Sequence, residues 1–148
     1  MITYSRDERD IYRNIVIIAR AMDERNWGEI EKLAVPDATG DFGDGAVSSA
    51  AEIVALLRRY LDDCGPTQHL IGNVVIDVSG DSATSRAYVA DMHLGVGDLE
   101  GQYFRTLGDY HDSWARTADG WKLTDRTKRH SGMMGNIAVL AHANELTT

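Results

Sequence analysis

The first candidate for chemistry is His69, which lies in the polar segment 67–73 directly before the apolar residues 74–76. A free imidazole has a pKa of about 6.5, so a histidine can take up or release a proton near neutral pH. A neighbouring carboxylate would fix its tautomer and stabilise the imidazolium. A histidine at the start of a buried strand is therefore a candidate general base.

The carboxylate expected beside His69 is Asp23. At about 100° per residue, Tyr12, Val16, Ala19 and Asp23 fall on one row of a helix, so Asp23 continues an otherwise apolar stripe. A carboxylate in such a row needs a partner, because an unpaired buried carboxylate is costly or becomes protonated. We therefore predict an Asp23–His69 pair. In the alternative, Asp23 is a solvated helix-terminal residue and His69 bonds a backbone carbonyl at a strand edge.

Two further polar residues, Asp91 and His93, lie on the second predicted strand. Side chains two residues apart in a strand point to the same face, which here is the face of Ala87 and Val89. Polar residues in an apolar row indicate a function. In the alternative, both side chains lie beyond the pocket, near the loop at Gly95.

Arg126 is the candidate cation of the last strand. If residues 119–120 make a two-residue turn, strand pairing places Arg126 on the same face as Asp109 and His111. Arg126 could then hold an anionic or electron-rich leaving group. The alternative is a buried structural ion pair between Arg126 and Asp109.

The candidate substrate-binding residues are mostly aromatic. They are Tyr12, Trp27, Tyr88, Tyr110 and His111. Aromatic rings could line a cavity for a ring-shaped substrate, or they could belong to the core. The basic run 127–130 at the end of the last strand is interpreted as a solvated strand end.

Three helices are predicted to precede a sheet. Ser5 and Glu8 form a capping box for a helix that extends to about residue 23 or 25. Asn26 should cap a short second helix that Pro36 stops, and Ser49 should open a third that ends at residues 64–66. Residues 37–45 read as a loop or a short irregular strand, because glycine, alanine and aspartate dominate them.

After residue 66 the hydrophobic period changes to two, which is typical of strands. Four strands are predicted, at about 68–78, 82–94, 102–117 and 121–130. The expected fold is α+β, with three N-terminal helices on one face of a curved, cone-like antiparallel sheet. Such a cone leaves a cavity for one small ligand. Its partly covered outer face favours a homo-oligomer, a dimer or trimer.

Composition limits the possible classes of protein. With 148 residues the chain fits one domain, residues 1–148. The net charge of -8 argues against a nucleic-acid binder, and no apolar run is long enough to span a membrane. The N-terminus is polar rather than signal-like, which predicts a cytoplasmic protein. The single cysteine, Cys64, excludes an internal disulfide and a multi-thiolate zinc site.

A series of landmarks along the chain resembles a known family, the SnoaL-like branch of the nuclear transport factor 2-like superfamily. The landmarks are Tyr12, residues 21–27, 36–38, 67–73 and 108–112, Arg116, residues 119–121, Arg126 and residues 135–136. The resemblance implies a cystatin-like α+β roll. The branch includes scytalone dehydratase, bile-acid 7α-dehydratase and hexachlorocyclohexane dehydrochlorinase, as well as cyclases and non-catalytic subunits.

The resemblance also implies a chemistry. The aspartate–histidine pair that removes a proton in the catalytic members maps onto Asp23 and His69, and Asp91 or His93 would be the general acid. The expected activity is a cofactor-independent lyase or isomerase, of the dehydratase type, acting on a small hydrophobic or cyclic molecule. The alternatives are polyketide cyclase-type aldol chemistry and a non-catalytic small-molecule-binding or oligomer-forming domain, like a dioxygenase small subunit.

The same resemblance implies that no metal takes part. A metal site from His69, Asp91, His93 and His111 is the chemical alternative, because imidazole and carboxylate suit zinc or iron.

Overall fold

A computed structural model describes residues 3–140, so residues 1, 2 and 141–148 of the predicted domain lie outside the described part. Three helices precede four long strands, as predicted, and two shorter strands lie between the second and third helices. The elements are α1 (Arg6–Glu24), α2 (Trp27–Leu33), β1 (Ala34–Asp41), β2 (Ala46–Val47), α3 (Ala50–Leu61), β3 (Thr67–Ser79), β4 (Ser82–Leu94), β5 (Tyr103–Thr117) and β6 (Gly120–Gly135).

Helix α1 begins and ends with specific caps. The Ser5 hydroxyl accepts a hydrogen bond from the Glu8 backbone N–H, and the Glu8 carboxylate accepts one from the Ser5 N–H, which confirms the capping box. The helix ends at Glu24, and the C-cap residue Arg25 has a left-handed backbone conformation with a φ of 56°. Asn26 is the N-cap residue of α2, as predicted, but its side chain makes no capping hydrogen bond.

The sheet is mixed and has six strands in the order β2-β1-β6-β5-β4-β3. The long strands β3 to β6 pair antiparallel, whereas β1 pairs parallel with β6. The predicted four-stranded antiparallel sheet was therefore incomplete. The composition of residues 37–45 left a loop and a short irregular strand open, and the structure has a strand at 34–41, because β6 supplies hydrogen-bonding partners from far along the chain.

Strand β3 contains a bulge that changes which side chains face inward. Gly72 pairs with Tyr88 and Val75 pairs with Arg86, so two residues of β3 oppose one of β4. One of the two is Asn73, which has a φ of 49°. Inward side chains therefore carry odd numbers before the bulge, as in His69, and even numbers after it, as in Ile76.

The helices pack on one face of the curved sheet, which does not close into a barrel. This arrangement confirms the predicted α+β class. The core between the layers includes Ile11, Ile15 and Ile18 of α1 and Trp114 of β5. No helix among residues 3–140 is long and apolar enough to cross a membrane.

The outer face of the sheet carries exposed apolar side chains on adjacent strands, among them Leu70, Tyr88 and Leu107. A patch of this kind is typical of protein contact surfaces. The homo-oligomer remains a prediction, which sedimentation would test.

Candidate active site

A cavity of about 220 Å³ lies between the helices and the inner face of the sheet. Helices α1 and α3, the segment 42–44 and strands β3 to β6 all contribute to its wall. An apolar cavity of about 150 Å³ holds benzene, so this one can hold a compound of one or two small rings. The polar residues of the sheet that line it include His69, His93, Thr106, Lys128 and His130.

Asp23 and His69 form the predicted hydrogen bond, with 2.7 Å between Asp23 Oδ1 and His69 Nδ1. Asp23 also accepts from the His69 backbone N–H at 3.0 Å and from the Thr67 hydroxyl at 2.9 Å. Burial raises the pKa of Asp23, but these hydrogen bonds outweigh it and hold the pKa below its ordinary value. Ionised Asp23 therefore keeps the proton on His69 Nδ1. The other ring nitrogen, Nε2, is a potential base at the cavity wall.

Arg25 holds this pair in place, and sequence reasoning assigned it no role. Its guanidinium donates to the Leu61 and Gly65 carbonyls at 2.9 and 3.0 Å, and to the Thr67 hydroxyl at 2.9 Å. Arg25 thus connects the end of α1, the α3–β3 loop and the hydroxyl that bonds Asp23. The left-handed backbone conformation of Arg25 directs its side chain from the end of α1 toward the α3–β3 loop.

Asp91 is fully buried and does not line the cavity, although it shares the inner face with His93 as predicted. It accepts from the Thr106 backbone N–H at 2.6 Å, the Thr106 hydroxyl at 2.7 Å and the Lys128 ammonium at 2.6 Å. Burial raises the pKa of Asp91, but Lys128 and Thr106 lower it more, so the pKa lies below its ordinary value. Asp91 is an ionised group behind the cavity wall.

His93 is a neutral side chain at the cavity. Its Nδ1 is 3.0 Å from the Phe104 carbonyl oxygen, which fixes the proton on Nδ1. Burial lowers the pKa of His93 to about 4. Its Nε2, which has no partner among residues 3–140, can then only accept a hydrogen bond. With these pKa shifts an ionised Asp91 and a neutral His93 Nε2 are hydrogen-bond acceptors, and the general-acid role of either residue stays a prediction.

Arg126 lies in the core and does not line the cavity. It donates two hydrogen bonds to Asp112, at 2.8 and 2.7 Å, and its guanidinium lies 4.0 Å from the centre of the Tyr110 ring. The predicted ion pair between Arg126 and Asp109 was therefore wrong. A bulge in β6 at Thr124 shifts the pairing by one residue and places Arg126 opposite Asp112.

Of the five predicted substrate-binding residues, only Tyr110 lines the cavity. Tyr12 and Tyr88 are exposed on α1 and on the outer sheet face, and Trp27 donates to Asp62 at 2.9 Å near the protein surface. His111 also lies outside the cavity, where its Nε2 is 3.0 Å from Asp109 Oδ2. Strand alternation explains why the side chains of Tyr88 and His111 lie outside the cavity, because the adjacent residues Val89 and Tyr110 point inward.

The family model of the SnoaL-like domain matches residues 3–127, most of the chain. The chain belongs to the SnoaL-like family. An uncharacterized protein of Mycobacterium tuberculosis is 28% identical to it over 124 residues, which cover 82% of this chain and 84% of the relative.

Several solved structures share the fold of this SnoaL-like chain. A candidate aromatic ring hydroxylase from Novosphingobium aromaticivorans has a TM-score of 0.82 at 24% identity and covers 93% of this chain and 99% of its own. A candidate scytalone dehydratase from the same organism has a TM-score of 0.75 at 20% identity, covering 86% of each chain. Hexachlorocyclohexane dehydrochlorinase type 2 has a TM-score of 0.74 at 18% identity, covering 88% and 86%. The family match confirms the resemblance, and these neighbours confirm the fold.

Lys128 and His130 are cavity residues of this SnoaL-like domain that the sequence pattern placed wrongly. The run 127–130 was interpreted as a solvated strand end, yet the Lys128 side chain is only 11% exposed, and both Lys128 and His130 line the cavity. Alternation along β6 was the available signal, because Arg126, Lys128 and His130 occupy one face. The partner, Asp91, could not be read from that pattern.

His69, Asp91 and His93 are close enough to hold a metal ion, since one ligand atom of each lies within 4.8 Å of the others. The donor set fits a cation poorly, however. The carboxylate oxygens of Asp91 already accept from Thr106 and Lys128, and the Lys128 ammonium would repel a cation beside it. His111, the fourth residue considered, lies outside the cavity.

Proposed function

We propose that this SnoaL-like protein is a lyase or isomerase in which His69 removes a proton from a carbon atom of a small cyclic substrate. The observation that carries the proposal is the Asp23–His69 hydrogen bond, together with a second histidine nitrogen that has no partner within residues 3–140 and belongs to a side chain lining the cavity. A base must meet both conditions, a fixed tautomer and access to the substrate.

The steps follow from the protonation states. His69 Nε2 takes the proton from carbon while Asp23 stabilises the imidazolium, and the C–H electron pair forms a carbon–carbon double bond as a neighbouring substituent leaves. In a dehydration the departing hydroxide takes the proton from His69 and leaves as water. In an isomerisation the proton returns to another carbon. Asp23 and His69 thereby recover their starting states.

The cavity also supports a substrate class. Its volume of about 220 Å³ suits a small ring, and its wall is mostly apolar, with Leu57, Leu61 and Phe104 among the lining residues. A small hydrophobic or cyclic molecule therefore fits better than a highly charged one. The names of two structural neighbours, a dehydratase and a dehydrochlorinase, agree with elimination chemistry.

Proton transfer is testable before the natural substrate is known. We would follow a panel of cyclic ketones in D2O by NMR, because removal of a proton beside a carbonyl replaces that hydrogen with deuterium. Wild-type protein should accelerate the exchange, and His69→Ala should abolish the acceleration. The matched control is His111→Ala, which removes a histidine that also pairs with an aspartate but lies outside the cavity. Equal exchange by wild type and His69→Ala would refute the proposal.

A non-catalytic binding role is the second candidate, because the mostly apolar cavity could hold a small ring compound without any reaction taking place. It predicts that small aromatic compounds bind without exchange or turnover. Aldol cyclisation begins with the same proton removal, so the exchange assay would detect it, and product analysis would then separate it from elimination.

A further inference from the structure

Lys128 enters the cavity wall from β6, with a buried carboxylate behind it. Its Nζ is 2.6 Å from Asp91 Oδ2, and the Asp91 side chain is completely buried. Thr106 holds the same carboxylate through its backbone N–H and its hydroxyl. Lys128 lines the cavity and Asp91 does not, so the ammonium is the cationic group that a ligand would meet, whereas the lining residue Asp44 is a carboxylate that accepts from the Tyr60 hydroxyl.

The sheet also provides space for the lysine stem. Gly108 on β5 lies beside it, and a Cβ atom at this position would be 2.8 Å from Lys128 Cε and 2.6 Å from a methyl group of Val89. Glycine in the interior of a strand usually weakens it and often marks a close approach. The absence of a side chain at residue 108 therefore allows the inward path of Lys128.

The ammonium retains hydrogen-bonding capacity toward the cavity. It has three N–H donors, and among residues 3–140 it donates to Asp91 alone. His69, the base, lines the same cavity. A ligand between them would therefore meet a base and a cationic donor.

Proton removal from carbon by an imidazole requires a group that accepts the electron pair, because carbon acids are much weaker acids than imidazolium. A carbonyl beside the C–H bond accepts the pair as an enolate oxygen. A preorganised cation at that oxygen in a water-poor cavity stabilises the charge as it develops. Lys128 is a cation in the appropriate place.

We propose that Lys128 binds the carbonyl oxygen of the substrate and stabilises its enolate, so that the substrates are small cyclic ketones or enones. This inference rests on the proposed function of His69. The C–H bond breaks, its proton goes to His69 Nε2, its electron pair forms the carbon–carbon double bond, and the carbonyl π pair moves to the oxygen beside Lys128. When the pair on oxygen re-forms the carbonyl, the electron pair of the carbon–carbon double bond either expels a β-substituent or takes up a proton at another carbon. Asp91 and Thr106 are positioning residues.

The test uses 4-nitrophenol, a ring compound whose phenolate resembles an enolate and absorbs differently from the phenol. Wild-type protein should bind the phenolate more tightly than the uncharged 4-nitroanisole, and binding should lower the pKa of the phenol by about one unit, a tenfold preference. Lys128→Met should abolish that shift and leave 4-nitroanisole binding nearly unchanged. An equal shift in wild type and Lys128→Met would overturn the inference.

Lys128→Met leaves the Asp91 carboxylate without its cation, which could impair folding. The double variant Lys128→Met/Asp91→Asn removes both charges, so it is measured in the same way. Loss of the phenol shift in this folded variant supports the role of Lys128, and retention of the shift refutes it. Lys128→Arg, which keeps the charge on a larger head group, should retain part of the shift.

The two proposals fail in different ways. If His69→Ala stops deuterium exchange but Lys128→Met does not change phenolate binding or slow the exchange, only the role of Lys128 is refuted. If His69→Ala exchanges as fast as wild type, the proposed function is refuted together with the enolate that Lys128 was inferred to stabilise.

Discussion

Two carboxylates on the inner side of this molecule each pair with a basic side chain, and the two pairs differ in what they leave unsatisfied. Asp112 and Arg126 are sealed on all sides, with side-chain exposures of 1% and 3%, and Tyr110 covers the guanidinium. Asp23 and His69 are also close, but Asp23 is 21% exposed and His69 Nε2 has no partner among the described residues.

The difference indicates how a structural pair can be distinguished from a chemical one. Both pairs contain a buried basic side chain. Arginine stays charged at all ordinary pH values, and Arg126 donates two hydrogen bonds to Asp112. Histidine can exchange a proton near neutral pH, and the nitrogen that would do so lines a cavity. Burial alone does not separate the two pairs, whereas a nitrogen that can gain or lose a proton beside a cavity does.

Replacement of the aspartate by asparagine should lower activity in the Asp23–His69 pair and stability in the Asp112–Arg126 pair. The larger effect is expected on activity. Asp23→Asn keeps the size of the side chain but cannot stabilise imidazolium and can hold the ring in the wrong tautomer, which costs about 10⁴-fold in a serine protease. Deuterium exchange should therefore fall about 10³- to 10⁴-fold, while the melting temperature changes little. Retained exchange would show that the pair is not a catalytic dyad.

Asp112→Asn should instead act on stability. It leaves the buried Arg126 charge without its counterion, and breaking a buried ion pair costs about 3–5 kcal/mol. Urea unfolding followed by tryptophan fluorescence would measure the loss. The exchange rate per folded molecule should stay near that of wild type, and a large fall in that rate would bring Arg126 into the chemistry.

A third contrast concerns pH. The pKa of His93 is about 4 in the folded state and about 6.5 when unfolded, so between these values the unfolded chain binds more protons and stability falls as pH falls. The free energy of unfolding should drop by about 2 kcal/mol from pH 7.5 to pH 5. His93→Gln should flatten this dependence. Asp23 and Asp91, whose pKa values lie below the ordinary value, contribute at lower pH.

The smallest effect is expected for Thr67, whose hydroxyl donates a hydrogen bond to Asp23. Thr67→Val removes the hydroxyl that accepts from Arg25 and donates to Asp23, which should cost about 1 kcal/mol of stability and a few-fold in exchange. Thr39→Val is the matched control, because the Thr39 hydroxyl donates to Asp125 at an exposed position. If both variants behave alike, the contact of Thr67 with Asp23 is not important for the site.

The parts of the fold that depend on local sequence could be predicted. The capping box of Ser5 and Glu8 and the spacing of Ile11, Ile15 and Ile18 lie within one helix, so the start and buried face of α1 follow from them. Strand β1 could not be predicted in this way. Its composition is compatible with a loop as well as with a short irregular strand, and the strand that stabilises it is β6, at the other end of the chain.

The candidate site shows the same limit. The association of Asp23 with His69 followed from a helical row and a strand end, and Asp91 and His93 shared a face because alternation is regular there. Arg126 was paired wrongly, because a single extra residue in β6 shifts the register. Partners chosen across strands therefore depend on bulges that sequence patterns do not reveal.

The bulge in β3 determines which changes of chain length the domain can tolerate. Inward side chains have odd numbers before it and even numbers after it, so deletion of one residue there would restore regular alternation along the strand. Either His69 or Ile76 would then turn to the outer face, and the strand would lose its base or its core contact. Among homologous chains, insertions and deletions should therefore occur in the loops, and the number of residues between these two positions should stay constant.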